Sequence, residues 1–428
     1  MNGKNKDIVK AEEDVSQEEY ADDIRQEPGE LVVGLDIGTT KVCCVVGEVF
    51  DGNIEIIGVG TAPSVGLKKG VVVNIESTVR SIQQAVTLAE EDAQCDLRSV
   101  YVYVGIAGNH IKGFNSPGIL AINDREIQQS DIDEVIVAAR TVKISENQRV
   151  IHVIPQEFMV DDHTGIQNPV GMTGVRLVTN VHIVTADLGA VHNLVTCCNK
   201  AGLDVAELVL ESIASANAVL SQDEMELGVA LIDIGGGTTD LAVFCDGTIR
   251  HTCEIGLGGH NLTNDISVGL RTPLQEAERL KEDFGGAISS IIKPNLVVDV
   301  PTVGDREPRK VTQKVLVDIL EARIVEILEM MNAELIASGQ KNKINGGVVI
   351  TGGTALLANL VELAEQIFDL PVRIGYPTGI TGRIDELYSP RCTTGVGLVM
   401  YGRNQHRDGK RQNRTMVGKV KGWLKKIM

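Results

Sequence analysis

No stretch of this 428-residue chain comes near the ~18 uninterrupted apolar residues that a membrane-spanning helix needs, so it reads as a soluble body. Several short signatures are missing too. There is no GxxxxGK loop followed by Ser or Thr and no GxGxxG, which removes the Walker and dinucleotide readings. GxSxG, HExxH and EF-hand loops are also absent. The eight cysteines form no CxxC and join no metal-like cluster with the eight scattered histidines. Embedded in apolar sequence, as in the adjacent pairs Cys43-Cys44 and Cys197-Cys198, they read as buried reduced thiols, which predicts a cytosolic setting. Positive charge is scarce: 40 Lys and Arg face 58 Asp and Glu, a net charge of -18. A field of that sign repels a polyanion, so no nucleic-acid partner is expected.

What is present is unevenly spread. The length suggests two or three domains. Residues 1–30 hold ten acidic against four basic side chains, lack periodic apolar positions and carry Pro28-Gly29 before the first strand-like run. They read as a disordered acidic tail with no secretory leader. Residues 403–428 hold nine basic side chains against one acidic, and 403–413 (RNQHRDGKRQN) have no apolar residue and read as a linker.

Two segments repeat one pattern: LVVGLDIGTTKVCCVVGEV at 31–49 and GVALIDIGGGTTDLAVF at 228–244. Each is a β-branched run, an Asp, a Gly/Thr turn and a second β run, which predicts two hairpins in two similar lobes. The periodicity predicts a helix over 75–94, with Val79, Ile82, Val86 and Ala89 on one face. Strand-like 101–108, helical 131–142 and strand-like 181–186 bracket a small inserted domain. Helices at 276–285 and about 312–338 and a strand at 346–353 complete the second lobe.

Turn amides and hydroxyls at Gly38, Thr39, Thr40 and Lys41 can converge on phosphate oxygens, while the strand-end carboxylate of Asp36 can hold hydrated Mg²⁺. Asp233, Gly235, Gly236, Gly237, Thr238, Thr239 and Asp240 supply the same kit again. Alone, either loop is an ordinary glycine-rich β-turn; as a pair they can clamp a polyphosphate between lobes. In TGGTALLANL at 351–360, Gly352, Gly353 and Thr354 stand at a strand end opening a helix, where amides and helix dipole suit a phosphate or nucleotide edge. Glu278 and Lys281 share a helix face and are either a solvated ion pair or groups reaching a ribose and a base.

The order DIGTTK, DIGGGTTDLAVF, TGGTALL resembles the phosphate and adenosine motifs of the actin, sugar-kinase and heat-shock-chaperone ATPase superfamily. Within it, VIHVIPQEF at 150–158, GIQNPVGMTGVRL at 165–177 and TTGVGLVMYG at 393–402 are similar to segments of the FtsA family of bacterial cell-division proteins, a resemblance covering about 31–402 and the basic tail. It implies an α/β, actin-like two-lobed ATPase fold with a small α/β subdomain inserted in the first lobe, and ATP with Mg²⁺ in the cleft. The first-lobe core would be 31–97, completed by about 377–402, with the insertion at 98–185. The second-lobe core would be 186–245, completed by about 334–376, with an outer subdomain at 246–333. The implied partners are further copies of the chain in an actin-like filament, the C-terminal tail of the tubulin-like protein FtsZ, and later divisome membrane proteins.

Residues 414–428 (RTMVGKVKGWLKKIM) read as an amphipathic helix on anionic lipid at the cytoplasmic face of the membrane. With Val417 at zero and 100° per residue, Met416, Val420, Trp423, Leu424 and Ile427 fall between about 240° and 20°, and Lys419, Lys421, Lys425 and Lys426 between about 40° and 200°. A small-molecule kinase or a chaperone-like ATPase of the same superfamily would leave this tail unexplained.

Overall fold

The computed structural model describes residues 29–411 apart from 99, 294 and 303–306. The Val-rich run before Asp36 forms β1 (Glu30–Ile37), which turns at Gly38 and pairs antiparallel with β2 (Lys41–Phe50). β3 (Asn53–Pro63) extends the meander, and β4 (Leu67–Lys68) and β5 (Val71–Val72) form a small side hairpin. Helix α1 (Ile75–Ala93) starts where the Asn74 side chain accepts the Ser77 amide, and buries Ile82, Val86 and Ala89 as the 3.6-residue period requires. β6 (Tyr101–Ile106) lies parallel to β1 inside this sheet. It therefore belongs to the first-lobe core and not to the insertion, whose expected start at 98 is too early. A strand buried on both faces carries no mark of the sheet it joins.

The insertion is a four-stranded antiparallel sheet, order β7-β10-β8-β9, with one helix: β7 (Lys112–Glu126), α2 (Gln129–Arg140), β8 (Gln148–Val160), β9 (His163–Ile166) and β10 (Thr173–Asp187). Ile122, Ile132, Val135, Phe158 and Leu177 give it a core of its own. The chain then returns to the first lobe through α3 (Leu188–Lys200) and β11 (Asp204–Leu210), which pairs parallel with β6. Val191, Leu194, Cys197 and Cys198 pack in the first-lobe core, so the second lobe begins after 210 and not at 186.

Helices α4 (Glu211–Val219) and α5 (Gln222–Leu227) cross to the second lobe. There β12 (Val229–Ile234), β13 (Thr239–Cys245) and β14 (Thr248–Ile255) repeat the meander, with β17 (Val348–Thr351) parallel to β12 as β6 is to β1. Between them come α6 (Gly259–Leu270), α7 (Leu274–Phe284), the hairpin β15 (Val297–Val300) and β16 (Arg309–Thr312), and α8 (Gln313–Ala337). β17 (Val348–Thr351), α9 (Leu360–Phe368) and β18 (Val372–Ile374) complete a sheet of order β14-β13-β12-β17-β18. β19 (Thr381–Gly382) rejoins β3, followed by α10 (Ile384–Leu387) and α11 (Thr393–Arg411), which packs on β1.

Helix α11 runs on through 403–411, where the polar composition suggested a linker. The acidic tail up to 28 and the membrane-helix residues Met416 to Ile427 lie outside the described residues. Cys43, Cys44, Cys95, Cys197, Cys198, Cys245 and Cys253 are free thiols. Among the described residues no helix is long and apolar enough to cross a membrane.

Candidate functional site

Between the lobes lies a cavity of about 550 Å³. The two predicted hairpin turns form facing walls and are copies in detail: Gly38 N–H donates to Lys41 C=O and Gly235 N–H to Thr238 C=O, both at 3.0 Å. They nearly touch. A Cβ on Gly236 would stand 2.0 Å from Thr40 Oγ1, and one on Gly237 2.4 Å from Thr39 Oγ1. The start of α6 is fastened to the second loop, with Gly259 and His260 amides donating to the Gly235 and Gly236 carbonyls at 2.9 and 2.7 Å.

Gly352 and Gly353 form the third wall element. Gly352 has φ 85°, and a Cβ there would stand 2.4 Å from Asp233 Oδ1, so both conformation and space demand glycine. The turn after it is a 3₁₀ segment, Gly353–Leu356, and not the opening of the α-helix expected from the sequence. Thr354 Oγ1 donates to Gly235 C=O at 3.4 Å. On α7, Lys281 Nζ donates to Glu278 Oε2 and Thr263 Oγ1 at 2.9 Å each and to Gly259 C=O at 3.2 Å. The pair is thus built into the cavity wall and is not a solvated surface bridge. Burial would raise the Glu278 carboxyl, yet the Thr263 and Lys281 bonds hold it below its ordinary range.

Thr239 is the one expected wall residue that the fold turns away. It is fully buried and donates to Leu257 C=O at 2.9 Å behind the loop. Side chains alternate along β13, so Thr238 and Asp240 face the cavity instead.

The floor is acidic. Burial pushes Asp36 up to about 6, opposed by Lys41 and reinforced by Asp233. Burial pushes Asp233 to about 6 as well, although Ser215 Oγ donates to it at 2.7 Å and Thr394 Oγ1 at 3.5 Å. Glu211, Asp240 and Glu254 are raised well above the ordinary carboxylate range, by burial first and then by neighbouring carboxylates, Asp233 in the case of Asp240. Asp240 Oδ1 has no hydrogen-bond partner among the described residues. Crowded, desolvated carboxylates beneath loops open to an anion fit a dication that shares its shell with water and phosphate. Among the described residues no three acidic, His or Cys side chains form a protein-only metal cage, and Mg²⁺ needs only one or two carboxylates.

The family model for cell division protein FtsA matches residues 230–397, and that for the SHS2 domain inserted in FtsA matches 108–185. The cell division protein FtsA of Pseudomonas aeruginosa is 48% identical over 382 residues, covering 89% of this chain and 91% of the relative. That of Escherichia coli K12 is 40% identical over 406 residues, covering 93% and 96%. The chain belongs to the FtsA family. Its fold is actin-like: it is similar to the PilM-PilN type IV pilus biogenesis complex (TM-score 0.63, 15% identity, 87% of this chain and 98% of that one). It is also similar to MreB5 of Spiroplasma citri bound to ADP (TM-score 0.51, 14% identity, 90% and 99%). The insertion of this FtsA-family chain, matched from 108, agrees with β6 standing in the lobe core.

Sequence reasoning missed Glu211, Gly259, His260, Glu282, Arg391 and Thr394 on the cavity wall. None lies in a repeated motif. Glu211 and Thr394 open the two helices that run between the lobes, a place only the tertiary fold defines.

Proposed function

We propose that the protein binds ATP with Mg²⁺ in the interlobe cavity and acts as a nucleotide-dependent scaffold, assembling into actin-like filaments. Through its outer second-lobe subdomain it holds the C-terminal tail of FtsZ. Its C-terminal segment anchors that complex to anionic lipid on the cytoplasmic face of the membrane at the septum, where it helps recruit later divisome membrane proteins. The observation that carries the nucleotide reading is the pair of copied glycine turns facing each other across one cavity above buried carboxylates. With Gly38 and Gly235 closing the turns, loop amides at Thr39 to Lys41 and Gly236 to Thr238 would take the phosphates, and Gly352, Gly353, Thr354, Glu278 and Lys281 the adenosine side. Asp36 and Asp233 would hold Mg²⁺, which supplies charge neutralisation of the phosphates when bound. The similarity of the fold to MreB5, solved with ADP and with AMPPNP, supports this reading.

The membrane reading is carried by the segregated apolar and basic faces of residues 414–428. One such helix gives reversible binding, so stable attachment needs several tails presented by a filament. Sedimentation with anionic vesicles, with and without ATP and an FtsZ tail peptide, tests the three links together. The parent should pellet and carry the peptide, while Trp423→Glu should stay in solution with ATP binding unchanged. Equal pelleting of the two would reject the anchor.

A further inference from the structure

The insertion grows out of the first lobe, yet it is hydrogen-bonded to the second. β14 is an edge strand of the second-lobe sheet, so carbonyls on its outer side have no neighbouring strand of that sheet. Side chains of the insertion take that place. Gln156 Nε2 donates to Ile249 C=O at 2.9 Å and Asn115 Nδ2 to Arg250 C=O at 3.0 Å. His182, fully buried, sits between the lobes with Nδ1 2.7 Å from Asn115 Oδ1 and Nε2 2.9 Å from Thr252 Oγ1. Because the Asn115 amide nitrogen donates to Arg250, its Oδ1 accepts. That assigns the His182 proton to Nδ1 and makes Nε2 the acceptor of the Thr252 hydroxyl. A Cβ on Gly113 would stand 2.1 Å from Thr252 Oγ1, so glycine is what lets β7 come this close to β14.

At the root of the insertion, Glu254 Oε2 accepts the Gly108 amide at 2.5 Å. Glu254 lies directly opposite Asp240 across β13 and β14, and Asp240 faces the cavity. On the other side the insertion holds the first lobe: His152 Nε2 accepts the Leu210 amide at 3.0 Å, and Val184 and Ala186 pack in the first-lobe core. The insertion therefore straddles the two bodies whose gap is the cavity.

We infer that this latch of Asn115, Gln156 and His182 on β14 makes the insertion a reporter of the cleft. A ligand that seats between the two phosphate loops, which nearly touch, moves one lobe against the other, and a body bonded to both must change its contacts with one of them. The inference rests on the nucleotide reading. It also runs in reverse: whatever engages the insertion alters nucleotide affinity by the same factor by which nucleotide alters that engagement.

Hydrogen exchange of the full chain with and without ATP, read over 112–126 and 148–160, tests it beside a direct titration with a fluorescent ATP analogue. Two variants outside the cavity wall sever the latch from opposite sides, Gln156→Ala in the insertion and the near-isosteric Thr252→Val in β14. In the parent, ATP should change exchange in both segments several-fold. Each variant should still bind the analogue, with an affinity shifted by no more than the several-fold coupling between latch and cleft, and lose most of that change. An analogue that fails to bind the parent removes the nucleotide reading, and the inference with it. Binding without any change of exchange in the parent, or variants that keep the parent's response, overturns the latch alone.

Discussion

Arg391 Nη2 stands 2.7 Å from Glu282 Oε1, joining the turn before α11 to α7 across the mouth of the cavity. Both side chains are about half exposed, at 48% and 46%, so the pair adds little to static stability. Its position suits control of exit. Glu282→Ala should release a bound ATP analogue about two- to fivefold faster, the range a surface pair allows, with melting temperature unchanged. Stopped-flow release equal to that of the parent would refute this.

Gly236→Asp places a carboxylate and a Cβ in a gap where Thr40 Oγ1 is 2.0 Å away. The loops must part, and the added charge faces the phosphate position. Binding of the analogue should collapse while circular dichroism stays that of the parent. Undiminished affinity in the variant would mean that the facing loops are not the anion clamp.

Asp233 is a stability cost in the ligand-free protein. Its carboxyl titrates at about 6 in the fold against an ordinary 3.8, so the penalty is full above about pH 6 and relieved as pH falls toward 4. Asp233→Asn should therefore stabilise the ligand-free protein at pH 8 by up to about 3 kcal/mol and hardly at all at pH 4, while weakening Mg-ATP binding. Urea unfolding at both pH values decides it; a variant no more stable than the parent at pH 8 contradicts the sign.

His182 works the other way. Burial, with His251 and His152 nearby, lowers it to about 4 from an ordinary 6.5, so the unfolded chain takes up a proton below pH 6.5 that the native state refuses until about pH 4. Stability from this group is full above 6.5 and lost across that window. Between pH 7 and pH 5, His182→Gln should lose about 2 kcal/mol less than the parent. Identical losses would show that the residue is not held neutral.

Legibility differed by scale. The hairpins, the third glycine element and the helix at 75–94 were readable because each is set by local turn chemistry or by one uninterrupted period. The inward turn of Thr239 is legible in the alternation of β13, which a motif read as one block does not resolve. Glu211 and Thr394 were not readable: each sits at a helix start that meets the cavity only because α4 and α11 cross there. The misplaced boundaries at 98 and 186 share one cause, whereas that at 246 cuts off β14, the last strand of the second-lobe meander. β6 and β11 are buried parallel strands, and an apolar run does not say which sheet it completes.

Helix α11 begins on the cavity floor, where Thr394 reaches Asp233, and runs unbroken to Arg411. Nineteen helical residues at 1.5 Å each make a strut of roughly 28 Å. Arg411 is thereby held at a fixed span and bearing from the cavity, without the slack a coil would leave. A partner that grips the end of α11 would then receive the body in a set attitude, and neighbouring copies held in that way would meet already aligned.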